Sequence, residues 1–425
     1  MSGVLEGVRI LDISQGAAGP TCGMLLGDLG AVVVKVEPPG GEWGRRLGPP
    51  FLGGVSAAFL GMNRGKRSVG VDLKRPGAAE ALLRLAAGCD VVLESFRPGV
   101  ADRLGVGYEA IRARNPRLIY AAISAFGQEG PWRDLPGVDG VVQAMSGLMS
   151  VTGTTPGPPV KVGVPAGDML GGIFASQAVL AALLARERTG TGQRVDVSLL
   201  DALLAFQVVP FSMYQASGEA PGRLGSAAPY AAPNEAFATS DGHVMVAAYT
   251  AQRWPALCTV LGVPDLATDP RFCTNGERVV QRESLHTILE TIFVTRSTAE
   301  WMGLLQEVDI ICGPLLDYDG LMSEEHFKEY GMTANAEHPA VGALTTVRGP
   351  VRFSDSHAEV RERTPAIAGE HTREVFAEAG LEEEEIADLL ASGAVFVPDQ
   401  EGGPRTFVVP GKTPKVLVMT KRQVQ

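Results

Sequence analysis

Asp168 is the residue on which chemistry can be built. It stands in Gly163-Val164-Pro165-Ala166-Gly167-Asp168-Met169-Leu170-Gly171-Gly172, a lone acid among glycines and small apolar side chains. A long apolar helix is expected to follow it. After that come a Gly-Thr-Gly-Gln turn, a short alternating strand from Arg194 to Ser198 and a second helix. An isolated carboxylate at the mouth of an apolar helix is either a helix cap or a reactive group. All six histidines lie at or beyond His243, so the first 242 residues alone hold neither Ser-His-Asp nor His-metal chemistry. The five cysteines (Cys22, Cys89, Cys258, Cys273, Cys312) are scattered, odd in number and form no CxxC pair. A disulfide framework and a zinc site are therefore not expected, and a reduced, cytoplasmic compartment is.

The second feature with chemical meaning is a basic stretch. Residues 60–117 hold eleven Lys/Arg against six Asp/Glu, in a chain of 425 residues whose net charge is −11. Lys66, Arg67, Lys74, Arg75, Arg97 and Arg103 fall in expected loops or at strand ends, where a parallel sheet binds ligands. Phe96 adjoins Arg97, a pairing that suits a phosphate with a stacked ring. Any one of these residues also fits a solvated basic face, but the set is better explained by a small polyanionic ligand. The acidic whole argues against nucleic acid or a membrane surface as partner.

The elements that must position these residues follow a β-α-β rhythm. Val8 to Ser14 reads as a buried strand, Pro20 suits the first turn of a helix that Cys22 to Leu29 continues, and Ala31 to Glu37 reads as a second strand. Further strands are expected at Val69 to Leu73, Asp90 to Glu94 and Arg117 to Ser124, with helices at Pro76 to Ala87 and Tyr108 to Arg114. The fold class is α/β with a parallel sheet. Glu37 ends the second strand where a ribose-binding acid of a dinucleotide fold would stand. However, Gly16-Ala17-Ala18-Gly19-Pro20 is not G-x-G-x-x-G, and Pro20 lacks the N–H a pyrophosphate would use. The plainer reading of Glu37 is a solvated strand end. Asp139 is placed as the cap of a helix beginning near Val138. The chain opens directly on a strand, with no pattern of a signal peptide.

From Gln207 to Asn234 the chain is rich in Ser, Gly, Ala and Pro and reads as a linker. A hairpin turning at Asp241-Gly242 follows, with helices at Trp254 to Leu261, Arg282 to Phe293 and Ala299 to Val308: a smaller α+β domain. The expected organisation is a large domain over 1–206, a linker over 207–234, a small domain over 235–323, and a return connection over 324–425 that completes the large domain. Helices are expected from His371 and from the acidic run Glu382 to Glu385, where negative charge suits a helix start. Strand-like pieces lie beyond Pro398.

Seven stretches in order, from LDISQGAAGP and GDLGAVVVKVEPPGG through NRGKRSVGVDLK, ESFRPG, FGQEGP and GVPAGD to RTGTGQRVDVSLLDA, together with the late AIAGEHTREVFAEAGL, resemble the class III CoA-transferase family over roughly residues 5–395. The resemblance implies a Rossmann-like large domain, an inserted small domain and an interlocked ring homodimer. It implies an enzyme that moves CoA between an acyl-CoA donor and a carboxylate acceptor, with CoA as substrate and no tightly bound cofactor. Asp168 matches the family's nucleophile, and Gly167, Gly171 and Gly172 would let the thioester approach it. Backbone N–H groups at the helix start are then expected to hold the oxyanion. Ala17 and Ala18 match the turn beside CoA, and Val71, Asp72, Leu73 and Lys74 the segment around adenine and ribose. Phe96, Arg97 and Arg103 match positions lining the nucleotide, and Asp139 one near the pantetheine. The dinucleotide reading of Glu37 gives way to CoA.

The chain departs from the family pattern in three places. Pro38 replaces an arginine common after the strand-ending Glu. Ala247 to Trp254 has no glycine where formyl-CoA transferase carries a glycine-rich loop, which puts an oxalate-like small acid in doubt. Val138 stands where the family's acyl-CoA racemases, the alternative activity, need a histidine for proton exchange.

Overall fold

Five runs of β-branched and apolar residues pair in parallel: Arg9–Asp12 with Val32–Glu37 and Val91–Glu94, Val32–Glu37 with Lys66–Val71, and Val91–Glu94 with Ile119–Ser124. They are buried almost throughout, as strands covered on both faces must be. The computed structural model that shows this describes residues 3–339, 341–356, 364–365 and 367–398. The seven-stranded sheet runs in the order Val395–Phe396, Lys66–Val71, Val32–Glu37, Arg9–Asp12, Val91–Glu94, Ile119–Ser124, Arg194–Ser198. Its first strand, from the end of the described chain, is antiparallel to its neighbour.

Strand order reverses between Arg9–Asp12 and Val91–Glu94, because the chain builds outward to one side and then returns to build the other. In open parallel sheets the crevice past the carboxyl ends of the strands at such a switch point is where ligands bind. The loops leaving these two strands are 13–17 and 95–99.

The chain divides into two compact units. The first comprises the described residues of 1–124, 171–197 and 333–425. Its core packs Leu11, Val34, Val69, Leu82, Val92, Ile111 and Tyr120 with Phe376 and Ile386, so the C-terminal helices Thr372–Glu378 and Glu383–Ala391 belong to it. The acidic run opens the second of these helices through a capping box between Glu382 and Glu385. The second unit comprises 125–170 and 198–332. It contains an antiparallel three-stranded sheet, Asn234–Ala238, His243–Ala247 and Ile311–Pro314, and a core of Phe237, Trp254, Phe272, Phe293 and Trp301. This unit is larger than 235–323, since residues 125–170 and the stretch read as a linker join it. Inside 207–234 the chain forms the helix Val208–Ser217. Valine and phenylalanine there, ahead of Gly218 as left-handed cap, outweigh the Ser/Gly signal.

A strand hairpin, Thr333–His338 with Gly342–Val347, occupies part of what reads as a plain return connection. The strand-like pieces beyond Pro398 lie outside the described residues. The apolar helix is Ala166–Thr189, 24 residues long. Its length and mean hydropathy of 1.6 would suffice to cross a membrane. In the first unit its Gly172 instead lies flat on another backbone: a Cβ there would stand 2.7 Å from the Ala18 carbonyl oxygen and 2.8 Å from the Thr21 Cβ.

Candidate active site

The helix bearing Asp168 begins at Ala166, so Asp168 is its third residue and not its cap. The capping is done from 28 residues away. Asp139 Oδ1 accepts from the Gly167 N–H at 2.7 Å and from the Asp168 N–H at 3.4 Å. Asp139 does not cap its own helix, Asp139–Met145: Val138 holds the N-cap position, without a side-chain hydrogen bond. One turn further along that helix, the Gln143 amide donates to Asp139 Oδ2 at 2.7 Å and to the Val164 carbonyl at 3.3 Å. Its oxygen accepts from the Val162 N–H at 2.9 Å. Gln143 is fully buried and Asp139 nearly so. Gly167 is needed for this approach, because a Cβ on it would sit 3.2 Å from Asp139 Oδ1 and 3.3 Å from a methyl of Leu203.

Burial pushes the Asp168 carboxyl from its ordinary 3.8 to about 6, with the negative charge of Asp139 adding to the rise. At neutral pH the group is ionised, more basic than a surface aspartate and poor in water. These are the conditions for a carboxylate nucleophile. The expected oxyanion donors are not at the helix start, since those N–H groups are already committed. Ala166 bonds to Val164, Met169 to Pro165, and Gly167 and Asp168 to Asp139. Nor is the space at Gly167 and Gly172 open to a thioester, because the protein's own atoms fill it.

In the first unit, the turn after Arg9–Asp12 is held by buried polar side chains. Lys35 Nζ donates to the Ser14 carbonyl at 3.0 Å, and Glu42 Oε2 accepts from the Gly16 N–H at 3.0 Å. Lys66 Nζ donates to the Pro20 carbonyl at 2.8 Å. Ser95 Oγ accepts from the Gln15 N–H at 2.9 Å and donates to its carbonyl at 3.1 Å. The two loops at the switch point, which carry Ala17, just before the helix that starts at Ala18, on one side and Phe96 and Arg97 on the other, are thereby tied together. Beneath them Asp12, Lys35 and Lys66 are fully enclosed. Burial alone would raise the Asp12 carboxyl; the ammonium groups of Lys35 and Lys66 outweigh it and hold it below its usual range.

Lys66 and Arg67 are therefore not ligand cations. Lys66 bonds Asp12 Oδ2 at 2.8 Å, and Arg67 pairs with Glu374 and Glu378, each at 2.8 Å. Glu37 is not solvated either: it is completely buried, gripped by Arg45 at 2.6 and 2.7 Å and by Ser68 at 2.6 Å. Sequence reading missed the Arg45 partnership, for which the only signal was a basic residue eight positions on.

Lys74, Arg97 and Arg103 behave differently. All three are exposed and have no ion-pair partner among the described residues. Asp72 accepts from the Lys74 N–H at 3.1 Å, so the turn after Lys66–Val71 is fixed while the ammonium stays free. Arg97 and Arg103 flank Gly99, whose φ of +74° makes the sharp turn into Val100–Arg103. Phe96 is half-buried against the core, with its N–H on Glu94 Oε2 at 2.7 Å. Burial pushes that Glu94 carboxyl up to about 7. No group of three or more His, Cys, Asp or Glu among the described residues could hold a metal ion.

The free cations Lys74, Arg97 and Arg103 follow the carboxyl ends of a doubly wound parallel sheet, the side on which such sheets bind ligands. The carboxylate of Asp168, raised by burial, stands at the start of the apolar helix. A family model described as CoA-transferase family III matches residues 5–372, and the chain belongs to that family. It is 38% identical over 393 residues to the succinyl-CoA:glutarate CoA-transferase of Mus musculus, covering 92% of this chain and 90% of that one. It is 41% identical over 316 residues to the acetyl-CoA:oxalate CoA-transferase of Acetobacter aceti, covering 74% of this chain and 81% of that one. Among solved structures, a CAIB/BAIF family protein from Brucella suis superposes with a TM-score of 0.81 at 35% identity, covering 89% of this chain and all of the other.

Proposed function

We propose that the chain transfers CoA between carboxylic acids through covalent chemistry on Asp168. The observation that carries this reading is the setting of Asp168: a largely buried carboxylate, raised to about 6 and more than nine-tenths ionised at pH 7.5. Its oxygen attacks the carbonyl carbon of the donor acyl-CoA, and the C–S bond breaks. An aspartyl–acyl anhydride and a CoA thiolate result. The thiolate then attacks the aspartyl carbonyl, expelling the donor acid as its carboxylate and leaving an aspartyl-CoA thioester. The acceptor carboxylate attacks that thioester and releases the thiolate, which takes the new acyl group and frees Asp168. Splitting the exchange this way replaces one difficult transfer between two anions with steps that each have a good leaving group.

Lys74, Arg97 and Arg103 are read as contacts to the CoA phosphates, with Phe96, the 71–73 segment and the Ala17-Ala18 turn completing the nucleotide site. Relatives above are named for glutarate and oxalate; because Ala247 to Trp254 lacks the glycines of an oxalate-type loop, we read the acceptor as a dicarboxylate longer than oxalate. Racemisation is not favoured, because exposed, apolar Val138 holds the position of the required proton carrier. A homodimer is read from the helix Val208–Ser217. It has no buried residue although Val208, Val209, Phe211 and Tyr214 lie on it, an apolar surface that a second copy of the chain would cover.

The test incubates the protein with succinyl-CoA or acetyl-CoA and a panel of mono- and dicarboxylates, and reads new CoA thioesters by mass spectrometry. Wild type should form them and, with acceptor withheld, give a CoA-bearing peptide at Asp168. Undiminished transfer by Asp168→Ala would remove the covalent reading.

A further inference from the structure

We infer that Asp139 and Gln143 are positioning residues for the nucleophile, fixing where the Asp168 carboxylate sits and how readily it attacks. The inference rests on the reading of Asp168 as nucleophile. It departs from the pantetheine role that resemblance implies for Asp139.

The two residues are four apart and so project from one face of the helix Asp139–Met145. Between them they hold both ends of the segment that delivers Asp168. Gln143 takes the Val162 N–H and the Val164 carbonyl, and Asp139 takes the N–H groups of Gly167 and Asp168 itself. The Gln143–Asp139 bond of 2.7 Å closes the arrangement. Both Asp139 oxygens are spent on protein donors, so its carboxylate has little left for a ligand. The helix Leu199–Phe206 also packs here, and the side chain it presents to Gly167 is the uncharged Leu203. Among the described residues, Asp139 is the charged group acting on Asp168. A fixed negative charge beside a buried carboxylate makes it a stronger base and nucleophile once ionised. The hydrogen bonds to the backbone at 167 and 168 set the direction from which it attacks, where a displacement of about 1 Å costs on the order of a hundredfold in rate.

The two contributions separate in two variants. Asp139→Asn keeps an acceptor for the backbone N–H groups and removes the charge; because its NH2 then faces the Gln143 donor, it is read by the pH limb and not by kcat. Gln143→Leu keeps the charge and removes the lock. Rates are followed from pH 5 to 8.5 with acyl-CoA varied, beside wild type and Asp168→Ala. Asp139→Asn should move the acid limb of kcat/KM at least half a pH unit lower, which raises the rate at pH 5 relative to the plateau about threefold. Gln143→Leu should leave the limb in place and lower kcat at least about tenfold, with KM for acyl-CoA within about twofold. Should Asp139→Asn fail to fold by circular dichroism, Gln143→Leu carries the test by its kcat loss at constant KM. An unmoved limb in folded Asp139→Asn, or a raised KM with unchanged kcat in Gln143→Leu, overturns the inference while an inactive Asp168→Ala leaves the nucleophile reading standing. Full activity in Asp168→Ala overturns the nucleophile and, with it, this role.

Discussion

Replacing Asp168 with asparagine is expected to stabilise the protein above pH 6 while removing its reactive oxygen. The sign follows from linkage. The folded chain holds the Asp168 proton more tightly than the unfolded chain, since the carboxyl is raised from 3.8 to about 6, with burial the larger cause and Asp139 the second. Its contribution to stability is therefore complete below pH 3.8 and is lost as pH rises through 6. The gap corresponds to on the order of 3 kcal/mol, at about 1.4 kcal/mol for each tenfold change. Asp168 is partly exposed, which screens the charge, and the helix N-terminus favours an anion by about 0.3–1 kcal/mol, so about 2 kcal/mol is the better figure. Roughly half of that is already lost by pH 5, because the unfolded carboxyl ionises near 3.8. The advantage of Asp168→Asn over wild type should thus grow by about 1 kcal/mol between pH 5 and pH 8. Urea denaturation of both proteins at the two pH values, followed by circular dichroism with each transition fitted separately, measures it. An advantage that is constant with pH, or that shrinks toward pH 8, would refute the claim that the fold carries the cost of an ionised carboxylate at this position. Such a cost is what a site built for reaction rather than stability shows.

Three further outcomes follow from the same structure. Lys74→Ala, Arg97→Ala and Arg103→Ala should each raise KM for acyl-CoA with little change in kcat, and the penalty should fall with added salt; initial rates at low and high ionic strength decide it. Lys66→Met should destabilise the fold by about 3–5 kcal/mol, because the fully buried Asp12 loses its 2.8 Å partner; Tm and urea midpoint read this, and a change under about 1 kcal/mol would contradict the burial. Phe211→Asp should shift the protein to monomer in sedimentation velocity if the bare helix Val208–Ser217 is a copy-to-copy contact, and an unchanged distribution would exclude that helix.

The succession of strands and helices was legible in the chain because burial on both faces of a parallel sheet leaves runs such as VVVKVE and IYAAIS, and because Pro20, Gly99 and the Glu382–Glu385 run punctuate it locally. Some boundaries, such as Tyr108–Arg114, did not move, and others moved by up to three residues, as at Lys66–Val71. The helix Val208–Ser217 and the hairpin Thr333–Val347 were hidden by composition: a few serines and glycines in one case, a threonine-rich alternation in the other. Among the candidate ligand residues, Lys74, Arg97 and Arg103 do stand free, whereas Lys66 and Arg67 do not. Nothing in a lysine's own neighbours in sequence tells a buried ion pair from a solvated one.

Asp168 shows where the division falls. The sequence alone determined that a single acid among glycines stands at the start of a long apolar helix, that no histidine precedes residue 243, and that the surrounding motifs resemble those of CoA-transferases. Capping preferences and hydrophobic periodicity act within a turn or two, so they are written in consecutive residues. Only the tertiary structure decided that the helix starts two residues before Asp168, that Asp139 supplies its cap from 28 positions upstream, and that burial makes the carboxylate basic. Desolvation and charge pairing depend on which distant segments are brought against a group, and that is fixed by packing.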